Sequence, residues 1–586
     1  METRDHHPEP EGTSRSGLPS WLFVLAGGVL AVVGLSVRST QTTPLQDVRQ
    51  EPGSSRTSQG APQHGWFTNT AEQVGIDFVH TSGAADTWFM PEIMAGGVCL
   101  LDYNRDGYLD AYFVQGGRLV QGAGPAATNR LYRNRRDGTF EDVSAQAGAR
   151  DGGYGMGCAC GDFDNDGWTD LYITNVGKNA LYRNRLGEDF EEVTDRAGVG
   201  DAGFGSSAAF CDYDRDGDLD LFVANYIRWS PHTEIECRSA AGRRDYCMPT
   251  NYNAPARDTL YRNNGDGTFS DVSALSGIDR VFGHGLGVVC TDLDSDGYAD
   301  IVVANDMTPN QLWLNQGDGT FRDEALLRGV AYNGEGAAEA GMGIDAQDVD
   351  GDLDIDVFMT HMRDQTNTLY INDGAFWEDG TVQHGLSASL PYTGFGTALI
   401  DLNNDGFLDI YVANGRVVRG DPLGTNAASF VERDQLFQGT DDFAFREISL
   451  FGAASETAAY ASRGAAFGDY DNDGDVDVFV VNRDAPASVL RNDTNETNHW
   501  ITFDLVTPLG SPAIGTRVRI EFGGARRMRE VRPAYSYCSS NDPRVSFGLG
   551  RSETVDVATI TWPDGVVETL QSLPADRIVR RAMASH

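Results

Sequence analysis

One nine-residue aspartate-rich segment recurs seven times along the 586-residue chain, and no other feature restricts the possible folds as strongly. The copies are DYNRDGYLD from Asp102, DFDNDGWTD from Asp162, DYDRDGDLD from Asp212, DLDSDGYAD from Asp292, DVDGDLDID from Asp348, DLNNDGFLD from Asp401 and DYDNDGDVD from Asp469. Their start-to-start steps are 60, 50, 80, 56, 53 and 68 residues. A fixed loop at uneven spacing implies constant structural units separated by insertions. A β-rich run follows each loop: AYFVQ, LYITN, LFVAN, IVVAN, VFMTH, IYVAN and VFVVN. Seven and five residues ahead of each first Asp stand two small residues, from Ala95 and Gly97 in the first copy to Ser462 and Gly464 in the last. Small residues on one face of seven successive strands suit a place where those strands converge, as the innermost strands of a propeller do.

Two further elements complete each unit. The third is LYRN at Leu131, Leu181 and Leu260, LWLN at Leu312, LYIN at Leu369, LFQG at Leu436 and LRND at Leu490. The fourth opens on Phe140, Phe190, Phe269, Phe321 and Phe445, with a weaker FWEDG at Phe376. The seventh unit lacks its Phe strand, whereas FTNTA at Phe67 precedes the first loop with nothing of its own to complete. The N-terminal strand is therefore expected to close the last blade and remove an exposed sheet edge. The expected fold is all-β, a seven-bladed β-propeller with calcium loops over residues 65–497. A small β domain over 498–586 should follow, because ITFDLV, TRVRIEF and VATITW read as strands.

In DxDxDGxxD the side chains at positions 1, 3, 5 and 9, with the carbonyl of position 7, converge when position 6 permits a sharp turn. The candidate ligands are Asp102, Asn104, Asp106, Tyr108 and Asp110 in the first loop, and Asp162, Asp164, Asp166, Trp168 and Asp170 in the second. The third supplies Asp212, Asp214, Asp216, Asp218 and Asp220, and the fourth Asp292, Asp294, Asp296, Tyr298 and Asp300. Asp348, Asp350, Asp352, Asp354 and Asp356 follow, then Asp401, Asn403, Asp405, Phe407 and Asp409, then Asp469, Asp471, Asp473, Asp475 and Asp477. An all-oxygen shell of six to eight flexible ligands favours Ca²⁺ over Mg²⁺, so up to seven calcium ions are expected. The fifth loop is the one in question, because Gly351 has moved to position 4 and Leu353 occupies position 6. EF-hands are excluded, since they need Glu at position 12, which here is Phe113, Ile173, Val223, Val303, Met359, Val412 or Val480.

The loops explain part of the composition. Of 86 acidic residues, 26 stand at positions 1, 3, 5 and 9, and the net charge is -41. With 28 Phe, 21 Tyr and 9 Trp the chain can still bury a large core. The acid excess opposes nucleic acid binding, which needs clustered Lys and Arg.

Residues 1–17 form a polar segment, and 18–37 include the uncharged run WLFVLAGGVLAVVGLSV from Trp21. That run falls between the lengths of a signal peptide core and a membrane span, so export is expected, with cleavage or retention as an anchor both open. Residues 38–64, rich in Ser, Thr, Gln, Pro and Gly, read as a flexible linker. Given export, Cys237 and Cys247 are expected to staple the insertion between Tyr226 and Leu260. Cys99, Cys158, Cys160, Cys211 and Cys290 are expected to be small buried hydrophobes on the inner strands. Asp345 stands where the other units have Cys99, Ala159, Ala209, Val289, Ala398 and Ala466, and a buried carboxylate there requires a partner. His361, Gln115 and His284 read as structural.

The loops with their preceding small pairs, the LYRN elements and the Phe strands resemble the FG-GAP/VCBS repeats of integrin-α-type propellers. The tail, with NHWITFDLVTP, VRPAYSYCSSNDPRVSFGLG and VDVATITWPDGVVETL, is similar to the ASPIC/UnbV domain of cartilage acidic protein relatives. The resemblance spans about residues 65 to 575. It implies a calcium-stabilised propeller on an exported protein that acts in adhesion or extracellular binding rather than catalysis. The expected function is a non-enzymatic binding module for an extracellular protein or glycan. A lectin-like carbohydrate-binding propeller, and an enzyme or accessory subunit with a site on the propeller face, are the alternatives.

Overall fold

The computed structural model describes residues 65–84, 87–119, 127–419, 430–452, 459–494 and 497–585. The apolar run at 18–37 lies outside the described residues. Among the described residues no helix is long and apolar enough to cross a membrane.

Seven four-stranded antiparallel sheets follow one another along the chain from Val98 to Asn492. Their first strands are Val98–Leu101, Gly155–Gly161, Gly205–Cys211, Gly285–Thr291, Ile344–Gln347, Gly394–Ile400 and Ser462–Gly468. The first strand of each sheet packs against that of the next, and the seventh packs against the first, so the sheets close into a ring of blades. The N-terminal strand Phe67–Asn69 supplies the fourth strand of blade 7, with Phe67 opposite Asn492. The second strands are buried along their whole length, which explains why their sequences are apolar without alternation.

Two register assignments change. In blade 5 the outer strand is Trp377–Asp379, so Trp377 is buried and Phe376 is left exposed. In blade 7 the third strand is Ser488–Asn492, in which Val489 rather than Leu490 takes the place held by Leu131 in blade 1.

The C-terminal region has two sheets. His499–Val506 pairs with Val545–Gly550 and, in parallel, with Arg577–Ala582; the second sheet runs Ala525–Glu530, Arg517–Phe522, Thr554–Thr561, Val567–Pro574. Its core, including Ile501, Phe503, Ile520, Phe547 and Ile560, merges with Phe163 and Phe210 of blades 2 and 3. The domain lies on the face of the ring that carries the aspartate loops. Trp500 sits so close over Gly474 that a β-carbon there would lie 1.9 Å from the indole. Arg517, Arg527 and Arg544 donate to the carbonyls of Asp292, Gly406 and Asp469 at 2.9, 2.7 and 2.6 Å.

From this domain the segment 532–542 descends into the centre of the ring. Ser540 exchanges backbone hydrogen bonds with blade 1, Ser540 N–H to Val98 O and Leu100 N–H to Ser540 O. Cys538 O accepts from Cys158 N–H of blade 2, and Ser207 Oγ of blade 3 accepts from Cys538 N–H. Ser536 exchanges backbone bonds with Ile344 of blade 5, while its hydroxyl accepts from Thr397 N–H of blade 6 and donates to Ala465 O of blade 7. At the far end Tyr537 Oη donates to Met94 O at 2.9 Å. The innermost small residues thus have a reason beyond mutual convergence: a β-carbon on Gly97 would lie 1.9 Å from Cys538 O, and one on Gly464 2.7 Å from Ser539 Oγ.

The buried carboxylate of Asp345 meets its partner here. Arg532 Nη2 lies 2.8 Å from Asp345 Oδ1, and Leu399 N–H donates to Oδ2 at 2.9 Å. The cysteine reading is corrected. Cys99 pairs with Cys158 and Cys211 with Cys290, each joining the first strands of neighbouring blades, while Cys160 and Cys538 are free and buried. Cys237 and Cys247 form a third disulfide, in the blade 3 insertion.

Candidate metal centres

Each aspartate loop joins the first and second strands of its blade, and two residues in left-handed conformation shape it. Positions 4 and 6 carry φ of +57° and +86° at Arg105 and Gly107, and of +61° and +94° at Asn472 and Gly474. The fifth loop keeps this backbone despite its altered sequence, with φ of +82° at Gly351 and +80° at Leu353. The glycine has moved, but the turn has not. A leucine in this region is strained, so Leu353→Gly is expected to raise stability by about 1 kcal/mol in a thermal melt.

Position 1 caps the turn from inside. Asp102 Oδ1 accepts from Asp106 N–H at 2.9 Å and Oδ2 from Gly107 N–H at 2.8 Å, and Asp162, Asp212, Asp292, Asp401 and Asp469 repeat both bonds. Position 5 accepts from the N–H of position 7, as Asp166 does from Trp168 at 3.0 Å and Asp296 from Tyr298 at 2.8 Å. Position 9 is buried in every loop; Asp170, for example, accepts from Asn184 N–H at 2.7 Å and Phe163 N–H at 3.0 Å.

Positions 1, 3 and 9 gather in five loops, where oxygens of Asp162, Asp164 and Asp170, of Asp212, Asp214 and Asp220, of Asp292, Asp294 and Asp300, of Asp348, Asp350 and Asp356, and of Asp469, Asp471 and Asp477 lie within 4.8 Å of one another. The fifth loop, in question on sequence, is among them. In the first and sixth, Asn104 and Asn403 stand at position 3 and donate to Asp106 and Asp405 at 3.2 and 3.0 Å.

The donor set fits a hard cation. Asp164 Oδ1, Asp214 Oδ1, Asp348 Oδ2 and Asp471 Oδ1 are buried with no hydrogen-bond donor. Burial raises the position 9 carboxylates far above their ordinary range, Asp300 and Asp356 to about 8 and Asp220 to about 9. The N–H donors oppose that rise and neighbouring loop carboxylates add to it. Asp401 and Asp469 rise to about 7, again mainly through burial. Oxygens this close and this dry repel one another unless a proton or a cation intervenes. Arginines relieve part of the charge from outside: Arg183 reaches Asp166 at 2.8 Å, Arg136 reaches Asp106 at 2.9 Å and Arg517 reaches Asp292 at 2.9 Å.

The closing Asn of the LYRN elements supports the site as well, although it stands outside the aspartate loops. Asn134 N–H donates to Asp110 Oδ1 at 2.7 Å, and its Nδ2 donates to Leu109 O and to Tyr470 O of the neighbouring blade at 3.1 and 2.8 Å. Asn184, Asn263, Asn315 and Asn492 likewise reach Tyr103, Phe163, Tyr213 and Leu402 in the adjoining blade. The Asn thus ties position 9 of its own loop to position 2 of the loop in the preceding blade. Its recurrence at the end of LYRN, LWLN and LYIN was the available signal. Asn184→Ala should cost about 2 kcal/mol, because two buried carbonyls lose their donor, and a thermal melt checks it.

Residues 102–173, 162–223, 242–303, 292–359 and 348–412, together half of the chain, match the FG-GAP-like repeat family. The chain belongs to the FG-GAP-like repeat family. Residues 507–582 of this FG-GAP-like repeat protein match the family described as ASPIC and UnbV, on the domain that covers the loops. It is 26% identical over 324 residues to cartilage acidic protein 1 of Xenopus tropicalis, and over 323 residues to that of Mus musculus. The match covers 54% of this chain and spans 39% of the length of those relatives. Among solved structures it is similar to an Agrocybe aegerita lectin that recognises non-reducing terminal N-acetylglucosamine, with TM-score 0.38, 15% identity, 67% of this chain and 86% of the lectin covered. It is also similar to a Bacillus licheniformis rhamnogalacturonan lyase, with TM-score 0.37, 13% identity, 69% of this chain and 72% of the lyase covered.

Proposed function

We propose that this FG-GAP-like repeat protein is a non-catalytic binding module that works outside the cytoplasm, with Ca²⁺ at the aspartate loops as structural brace. The observation that carries the reading is the filling of the ring by residues 532–542 under a domain that covers the loop face. Recognition is left to the rim and the opposite face, where the insertion stapled by Cys237 and Cys247 stands. Loops held on a rigid scaffold are common recognition elements. The aspartates are bound into their own turns by main-chain N–H groups, an arrangement that suits holding an ion rather than turning over a substrate. Three disulfides favour an oxidising compartment.

The test immobilises the full chain in Ca²⁺ and screens it against cell-surface proteins and glycans. A ligand that binds and is recovered chemically unchanged is expected. A ligand converted to product in solution would contradict the non-catalytic reading.

A further inference from the structure

On the face away from the C-terminal domain, blade 3 carries a cleft of about 470 Å³ between its insertion and the turn that leads into blade 4. Its floor is polar and already organised. Asp201 Oδ2 accepts from Asn225 Nδ2 at 2.8 Å and from Thr259 Oγ at 3.0 Å, and its Oδ1 accepts from Gly203 N–H at 3.1 Å. Asn225 is buried, and its Oδ1, packed against Gly203, has no hydrogen-bond donor, as is also the case at Asn175, Asn305 and Asn414 in other blades. One wall is Trp229, fixed because its indole N–H donates to Glu234 Oε2 at 2.9 Å. Glu234 is itself anchored by Tyr252 Oη at 2.6 Å and Met90 N–H at 3.2 Å. The other wall is Phe282, 48% exposed on a protein whose aromatic rings are mostly buried. Arg228 lines the mouth, exposed and without an ion-pair partner among the described residues. Blade 2 has the matching pair, Asn175 Nδ2 donating to Asp151 Oδ2 at 3.0 Å, but no insertion follows it to make a wall.

We propose that this cleft binds a pyranose sugar carrying an anionic group. A pyranose has an apolar C–H face and an edge of hydroxyls, which match the Phe282 and Trp229 rings and the Asp201, Asn225 and Thr259 floor. A carboxylate or sulfate on the ring is what the Arg228 guanidinium recognises, with planar paired donors suited to either. In a chain of net charge -41, an arginine free of carboxylate partners beside an aromatic cleft is the local feature that admits an anion. The insertion's disulfide and its Glu234 anchor hold the wall in place before the ligand arrives, which lowers the ordering cost of binding.

The assignment rests on the binding-module reading and narrows it to one site. The full chain in Ca²⁺ is applied to a microarray of neutral, uronate-bearing and sulfated oligosaccharides, with Arg228→Gln, Phe282→Ala and the exposed Arg280→Gln as variants. Binding confined to uronate-bearing members or to sulfated members is expected, and the array separates the two. Affinity should fall at least tenfold in Arg228→Gln and in Phe282→Ala and stay unchanged in Arg280→Gln. All three positions are exposed, so the fold is kept. Binding to neutral sugars alone, binding that ignores both cleft variants, or no binding would overturn the assignment. A protein ligand whose affinity ignores both cleft variants would leave the binding-module reading standing while the cleft assignment falls.

Discussion

Replacing residues 532–542 with a Gly-Ser linker of equal length is expected to abolish the cooperative thermal transition of the propeller. The segment satisfies backbone or side-chain groups on the innermost strands of blades 1, 2, 3, 5, 6 and 7. A Gly-Ser chain keeps main-chain donors and acceptors but lacks the Arg532, Tyr537 and Asn541 side chains, so Asp345, Met94 O and Phe467 N–H lose buried partners, and ordering so flexible a segment in the ring costs further conformational entropy. A single substitution isolates the largest part. Arg532→Ala leaves the fully buried Asp345 without its ion-pair partner, and breaking a buried pair in this way costs about 3–5 kcal/mol. Arg532→Met combined with Asp345→Val should recover most of that loss, since other blades carry a small apolar residue at the Asp345 position. If the linker variant melts as a single transition at the original temperature, the segment does not hold the ring together.

How much of this was legible differs from element to element. The seven loops and the closing strand at Phe67 follow from the sequence because a metal-loop turn and an unpaired edge each demand specific residue types at fixed offsets. The same rule put the fifth loop in question, yet its turn is kept, since glycine at position 6 is a preference of the backbone and Leu353 adopts φ of +80° there all the same. Asp345 announced that it needed a partner, but Arg532 lies 187 residues away and no local pattern marks it. Residues 532–542 have neither helical nor strand periodicity, because their partners are main-chain groups spread around the ring. Cys99 and Cys158, and Cys211 and Cys290, stand just ahead of loops in successive units. Their pairing becomes readable only once those strands are known to lie side by side.

Calcium is expected to have the other large effect. An ion that binds only the folded chain stabilises it by about 4 kcal/mol per site at a free concentration a thousand times its dissociation constant. Several such sites should shift the melting temperature by on the order of 10 °C. The pH dependence has a definite sign. Unfolded aspartates titrate near 3.8, whereas in the ion-free fold Asp300 and Asp356 titrate at about 8 and Asp220 at about 9. Between those values the ion-free fold holds protons that the unfolded chain has released, so its stability falls as pH rises from about 4 toward 8 or 9. The ion requires the ionised carboxylates, so its contribution runs the opposite way and fades on acidification.

The most direct measurement is the melting temperature of the full chain with Ca²⁺, and with a calcium-selective chelator in the presence of Mg²⁺, at pH 8 and pH 5. Calcium as the brace of the loops predicts a large loss on chelation at pH 8, a much smaller one at pH 5, and no rescue by Mg²⁺. An unchanged transition at pH 8 after chelation would contradict it.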